Sequence, residues 1–285
     1  MQKDTFEVLN EQEGERLDKY LSDIYPELSR SFFQKLIKEN NILVNGSNQK
    51  SNYRLKTDDI VEITIPDAVE TPILPQDIPL DILYEDDDVL VVNKPKGMVV
   101  HPSAGHYSDT LVNAIMYHCK DSLSGINGEI RPGIVHRIDM DTTGSLIICK
   151  NDESHIKIAE QIKAHTCNRI YVGIVLGNIK DDEGLIDAPI GRNPTDRKKM
   201  AINYKNGKEA VTHYKVLERF GDYTYLQFSL ETGRTHQIRV HMASISHPLL
   251  GDMLYSNYSS SKSRFKNLQG QCLHAQRIGF VHPRT

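Results

Sequence analysis

The chain has 285 residues, 39% hydrophobic and 25% charged, a composition that suits one large or two smaller globular domains and excludes a disordered or fibrous chain. Its four cysteines (Cys119, Cys149, Cys167 and Cys272) lie far apart, which excludes zinc-ligand spacing and points to reduced cytoplasmic thiols; no signal peptide is visible, and no apolar run approaches the roughly 18 residues of a membrane span. The net charge of −4 is uneven, with −3 over residues 1–66, −7 over 67–110 and +6 over 111–285, so a phosphate-binding face or a merely solvated surface both fit the last stretch.

In chain order, Arg16, Leu17, Tyr20, Leu21 and Ile24 fall at helical spacing. Ser29 is placed to cap a second helix from about Arg30 to Glu39, with Phe33, Leu36 and Ile37 as its apolar stripe. Ile42 to Val44 reads as a short strand, Asn45-Gly46 as a tight turn, and Ile60 to Ile65 as a last strand. Residues 1–66 thus form a small module. Its Arg16-Leu17-Asp18, Ser29-Arg30-Ser31, Lys35-Leu36-Ile37, Val44-Asn45-Gly46 and Asp58-Asp59-Ile60-Val61 resemble the S4 RNA-binding domain. The resemblance implies that the second helix and its neighbouring turn face RNA phosphates, with Arg16, Arg30 and Lys35 as RNA-binding side chains.

Residues 67–81 are acidic and hold Pro72, Pro75 and Pro79, which suits an extended linker. The remainder, 82–285, mixes strands and helices irregularly. Val89 to Val92 is a buried strand ending in a turn at Asn93-Lys94-Pro95-Lys96-Gly97. Thr110 to Tyr117 is helical, and Asp152 caps a helix with Ile158, Ala159 and Ile162 inward. Ile170 to Leu176 is a strand closed by Gly177-Asn178. Tyr223 to Leu230 alternates, with Thr224, Leu226, Phe228 and Leu230 on one face, as in a half-exposed antiparallel sheet. Ser256 to Ser263 reads as a mobile loop. The expected class is α+β: a mixed, mainly antiparallel sheet flanked by helices behind the small N-terminal module. No Gly-x-Gly-x-x-Gly or P-loop follows a strand, which disfavours nucleotide-cofactor folds.

The densest chemistry lies in His136-Arg137-Ile138-Asp139-Met140-Asp141-Thr142-Thr143-Gly144, followed by the apolar Leu146 to Cys149. This reads as a charged loop, stopped by a turn at Thr-Gly, that feeds a buried strand. Asp139 could serve as nucleophile or general base, or equally as a structural carboxylate. Catalysis would require an arginine partner from elsewhere. Glu231-Thr232-Gly233-Arg234-Thr235-His236-Gln237-Ile238-Arg239 offers one: Thr235 is placed to cap a helix with Ile238, Met242 and Ile245 inward, which sets Arg234 at a strand-to-helix junction. Tyr171 could stack on a base or pack in the core. No histidine pair has the spacing of a helical zinc site, and no Gly-x-Ser-x-Gly elbow occurs.

These segments together resemble the RluA/RluD family of RNA pseudouridine synthases. The match runs from Asp87-x-Val89-Leu90-Val91-Val92-Asn93-Lys94-Pro95 through His101-Pro102, Arg131 to Asp139, Asp141 to Gly144 and Arg169-x-Tyr171. It continues through Gly207-Lys208-x-Ala210 to Tyr214, Thr232 to His241, His247-Pro248-Leu249, Gly251-Asp252 and Leu273-His274-Ala275. The resemblance implies that Asp139 is the catalytic aspartate, Arg234 its basic partner and Tyr171 the active-site tyrosine. Arg137 and His136 are implied to bind the RNA, with Arg137 helping to displace the target base. It also implies isomerisation of uridines in RNA, with large-subunit ribosomal RNA as the expected target and with no cofactor and no metal. Asp139 is implied either to attack the sugar or to remove a sugar proton. Relatives continue for a final strand beyond His282-Pro283-Arg284-Thr285, so the sequence reads as truncated. Two rivals remain open: an inactive RNA-binding assembly factor, and a hydrolase with an aspartate base.

Overall fold

The computed structural model describes residues 2–25, 28, 30–65, 73–102, 106–120, 122–124, 132–196, 198–256, 265 and 267–285. The chain divides into two units, residues 1–71 and 72–285. The first contains β1 (Gln2–Glu7), α1 (Leu17–Ile24), α2 (Arg30–Lys38), β2 (Ile42–Val44) and β3 (Ile60–Ile65). β3 is the central strand of an antiparallel sheet ordered β1-β3-β2. Asn45 and Gly46 turn with φ of 52° and 70°, the left-handed pair that a two-residue hairpin needs. Leu17, Leu21, Phe33, Leu36, Ile42 and Val61 fill the core beneath the helices. Burying Phe33 alone contributes about 2–3 kcal/mol. The expected cap Ser29 lies outside the described residues. β1 carries a single apolar residue, Phe6, so its own pattern gives no strand signal; it forms by pairing all six residues with the edge of β3.

The second unit contains β4 (Ile82–Glu85), β5 (Val89–Lys94), α3 (Leu111–Cys119), β6 (Thr143–Cys149), α4 (Asp152–Lys163), β7 (Asn168–Leu176) and β8 (Glu183–Asp187). It continues with β9 (Ile190–Arg192), β10 (Met200–Ile202), β11 (Val211–Arg219), β12 (Tyr223–Leu230), α5 (Gln237–Ser244) and β13 (Leu273–Gly279). Eight strands form one sheet ordered β4-β5-β6-β13-β7-β12-β11-β8. Every pairing is antiparallel except β6 with β13. This is the mixed, mainly antiparallel α+β architecture expected from the alternation in Tyr223–Leu230. Both faces of β5 are covered: Leu90 and Val92 pack with Leu111 and Ile115 of α3, and Val89 and Val91 with Ile158 of α4. That double burial explains the unbroken apolar run. Under α5, Ile238 and Met242 pack on Val175, Leu226 and Phe228. Among the described residues no helix is long and apolar enough to cross a membrane.

Three local expectations are corrected. Thr143 and Gly144 do not form a turn; they begin β6, and the turn comes earlier, at Met140-Asp141. A Cβ on Gly144 would stand 2.3 Å from the carbonyl oxygen of Ala275, so this glycine lets β13 approach. The α4 cap is Asn151, whose Oδ1 accepts the Ser154 amide at 2.9 Å, with Asp152 one residue inside the helix. Of the stretch expected to be linker, residues 67–72 lie outside the described residues, but 73–81 belong to the second unit. There Ile73 and Leu80 pack on the α3 core, and Asn113 Nδ2 donates to Leu74 O at 2.8 Å. Of the serine-rich loop, 257–263 also lie outside the described residues.

Candidate active site

The loop from His136 to Thr142 is held from both sides. His136 Nε2 accepts the Ile147 amide of β6 at 3.1 Å. The Thr142 amide donates back to Asp139 O at 3.1 Å. Ile138 is buried in the α3 core. Lys94, at the end of β5, is wholly buried and donates to Pro95 O, Met98 O and Met140 O at 2.8, 2.8 and 2.9 Å. All three ammonium protons are therefore used, and one of them fixes the residue after Asp139. Burial pulls the Lys94 pKa down to about 8, against the opposing charges of Asp141 and Asp139. The sequence offered Lys94 only as part of a turn and of the Asp87–Pro95 motif, with no role of its own.

Asp139 keeps 20% of its side chain exposed, at the edge of a cavity of about 300 Å³. Its arginine partner is Arg239 and not Arg234. Arg239 Nη1 donates to Asp139 Oδ2 at 2.9 Å, while its Nε and Nη2 clamp Asp252 at 2.7 and 3.0 Å. Arg234 instead donates its Nε to Glu209 O at 2.8 Å and lines the cavity wall. The reason is local. α5 begins at Gln237, and His236 precedes it in the left-handed conformation at φ 57°. Side chains on a helix lean toward its N-terminus, so Arg239, within the first turn, reaches back over the loop. Thr235 does not cap this helix. Gln237 organises the junction: its Oε1 accepts the Thr232 hydroxyl and the Arg234 amide, and its Nε2 donates to Val211 O and Thr212 Oγ1.

Asp252 is fully buried and also accepts the amides of Leu254 and Tyr255 at 3.0 and 3.1 Å. Burial works against the Arg239 charge, but Asp252 and Asp139 outweigh it and hold its pKa above the usual value. Tyr255 and His236 complete the surroundings and were missed as site residues. The Tyr255 ring carries the Arg239 guanidinium at 5.0 Å, and its hydroxyl meets His236 Nδ1 at 2.7 Å. His236 Nε2 lies 3.9 Å from Asp139 Oδ1, and burial lowers the His236 pKa. The sequence signal for His236 was its place in the Thr232–His241 motif; Tyr255 lies outside every motif quoted above.

Tyr171 projects from β7 into the same cavity, and burial pushes its pKa up to about 12, so it stays a neutral phenol. His136 and the exposed Arg137 line the wall as well. Burial, then the charge of Arg169, lowers the His136 pKa to about 4, so this ring is neutral. The cavity thus gathers Asp139, Tyr171, Arg234, His136 and Arg137. In the first unit, Arg16 and Arg30 both pair with the fully buried Asp18, at 3.0 and 2.9 Å, and Lys35 is exposed, 3.8 Å from Glu39. Among the described residues one grouping has metal-ligand residue types, Asp86, Asp88 and His282, away from the cavity; His282 and Arg284 already pair with its carboxylates.

Comparison with known proteins identifies the family. Residues 88–244 match the RNA pseudouridylate synthase family profile, and residues 15–61 match the S4 domain. The uncharacterised RNA pseudouridine synthase YlyB of Bacillus subtilis is 50% identical over 96% of this chain and 88% of its own length. Ribosomal large subunit pseudouridine synthase D of Zymomonas mobilis is 45% identical over 95% and 87%. Human RNA pseudouridylate synthase domain containing 1 superposes with a TM-score of 0.57 at 26% identity, covering 75% of this chain and 80% of that one. A family match across more than half the chain, with relatives aligned along nearly all of it, is decisive: the chain belongs to the RNA pseudouridine synthases and carries an S4 domain ahead of its synthase region.

Proposed function

We propose that this synthase converts specific uridines of large-subunit ribosomal RNA to pseudouridine in the cytoplasm, with Asp139 as the carboxylate that acts at the sugar. The observation that carries the reading is the position of Asp139: on a loop pinned by Lys94 and His136, bonded to Arg239, at a cavity that also holds Tyr171. A uridine must leave its stack to reach such a cavity. Arg137, exposed at the rim, is suited to fill the space the base leaves. Arg239, anchored by Asp252, aims Asp139, while the neutral Tyr171 offers a flat face. The uracil detaches, turns and rejoins through C5; nothing is oxidised and no atom is lost. The ribosomal target is supported by relatives named ribosomal large subunit pseudouridine synthase D. The test is to incubate the protein with ribosomal RNA from cells lacking its gene and to map pseudouridine. New sites in large-subunit RNA are expected, and none at all would favour an inactive assembly factor.

The S4 domain supplies a second, separable prediction. Lys35 is exposed and its pairing with Glu39 is long, at 3.8 Å, so Lys35→Ala is expected to weaken RNA binding at low salt. It should lower the slope of log affinity against log salt by about 1. An unchanged slope in a fluorescence-anisotropy titration would place the RNA path elsewhere. Arg30→Ala is the poorer probe, because it also releases the clamp on buried Asp18.

A further inference from the structure

Arg169 is a buried cation that pairs with no carboxylate among the described residues. It stands two residues before Tyr171 on β7, so both side chains leave the same face of the strand and line the cavity. Only 8% of Arg169 is exposed. Its Nη2 donates to Glu231 O at 3.1 Å, its Nε has no hydrogen-bond partner, and no carboxylate pairs with it among the described residues. Room has been made for it: a Cβ on Gly233 would stand 2.3 Å from Arg169 Nη1, so the guanidinium can lie over that backbone only because the residue is glycine. A charge buried this way is costly to the fold unless something enters to balance it. Arg239 is the opposite case, with two carboxylates on one guanidinium.

We propose that Arg169 is a catalytic residue whose guanidinium takes up the negative charge of the detached uracil, an inference that rests on reading the Asp139 cavity as the site of isomerisation. When the C1′–N1 bond breaks, both its electrons go to the ring, and the charge spreads over N1, O2 and O4. Asp139 loses its own charge in the same step, either by forming an ester bond to C1′ or by taking the proton from C2′. Both routes move one negative charge from the carboxylate to the base. In the return step the ring supplies the electron pair for the C5–C1′ bond. The ester bond breaks or the C2′ proton returns, C5 gives up its hydrogen as a proton to solvent, and N1 takes a proton from solvent. A fixed cation without a partner of its own stabilises the charge only once it has moved, which lowers the barrier without tightening ground-state binding. The neighbouring His136 stays neutral and adds no competing donor charge.

The test compares Arg169→Met, Arg169→Lys and Asp139→Asn in the full chain, by single-turnover pseudouridine formation, RNA affinity and thermal melting. Arg169→Met is expected to slow the single turnover about 100-fold or more, the range seen when one donor to a developing anion is removed. RNA affinity should not change, and the melting temperature should hold or rise, because an unbalanced buried charge has gone. Arg169→Lys, which keeps the charge, should fall between Met and wild type. If Arg169→Met turns over normally, or loses activity together with a lowered melting temperature or a failure to fold, Arg169 is structural and the proposal is overturned. If Asp139→Asn stays active, the reading of the cavity itself fails, whatever Arg169 does.

Discussion

Asp139→Asn is expected to reduce single-turnover pseudouridine formation by at least about 10⁴-fold, the scale of removing a group through which the reaction passes. The amide keeps the shape and can still accept the bond from Arg239 Nη1. It can neither form an ester with the sugar nor hold a sugar proton. The fold should tolerate the change. Arg239 keeps its two bonds to Asp252 and still meets an oxygen on the amide, so the loss is about 1 kcal/mol, the scale of one hydrogen bond. Release of the C5 hydrogen as tritium gives the rate, and gel shift of the same RNA gives binding. Loss of turnover with retained binding is the expected signature. A variant that turns over at the wild-type rate removes Asp139 from the chemistry.

The second large effect separates the two arginines. Arg239→Met strips the fully buried Asp252 carboxylate of its partner as well as Asp139, and should destabilise the second unit by about 3–5 kcal/mol. Activity should vanish with it. Arg234→Ala removes one side-chain bond to a backbone carbonyl, and its stability cost should stay near 1 kcal/mol. Its effect should fall on RNA affinity, since its guanidinium faces the cavity. The double variant Arg239→Met with Asp252→Leu exchanges the buried pair for apolar groups; it should regain stability without regaining turnover. Thermal melts of the three proteins decide. Equal destabilisation by Arg234→Ala would contradict the geometry.

Much of this was legible in the residues. The hairpin at Asn45-Gly46, the covered strand Val89–Val92 and the alternating Tyr223–Leu230 follow from local chemistry and period. The need of a catalytic Asp139 for an arginine was a chemical deduction, and the side chain bonded to it is Arg239. Which arginine was not readable, because it depends on where α5 begins. That boundary is set by Gln237 reaching Val211 and Thr212, some 25 residues away, and by His236 entering the left-handed region. The Thr143-Gly144 misreading has the same origin. A glycine that makes room for a strand looks in sequence like a glycine that makes a turn, and only Ala275, far along the chain, tells them apart. β1 was invisible because its stability is lent by β3.

The place of β13 sets a timetable. This strand comes last among those described, yet it lies in the middle of the sheet, between β6 and β7. A chain emerging from the ribosome would hold β4-β5-β6 and β7-β12-β11-β8 as two half-sheets with bare facing edges, and such edges invite aggregation. Residues 273–279 must arrive before the seam closes, and pairings over so long a separation form slowly. The seam runs beside the Asp139 loop, through Thr143-Gly144 against His274-Ala275. A chain whose synthesis has not passed residue 279 therefore lacks the strand that completes the sheet beside Asp139, although residues 1–71 are already made.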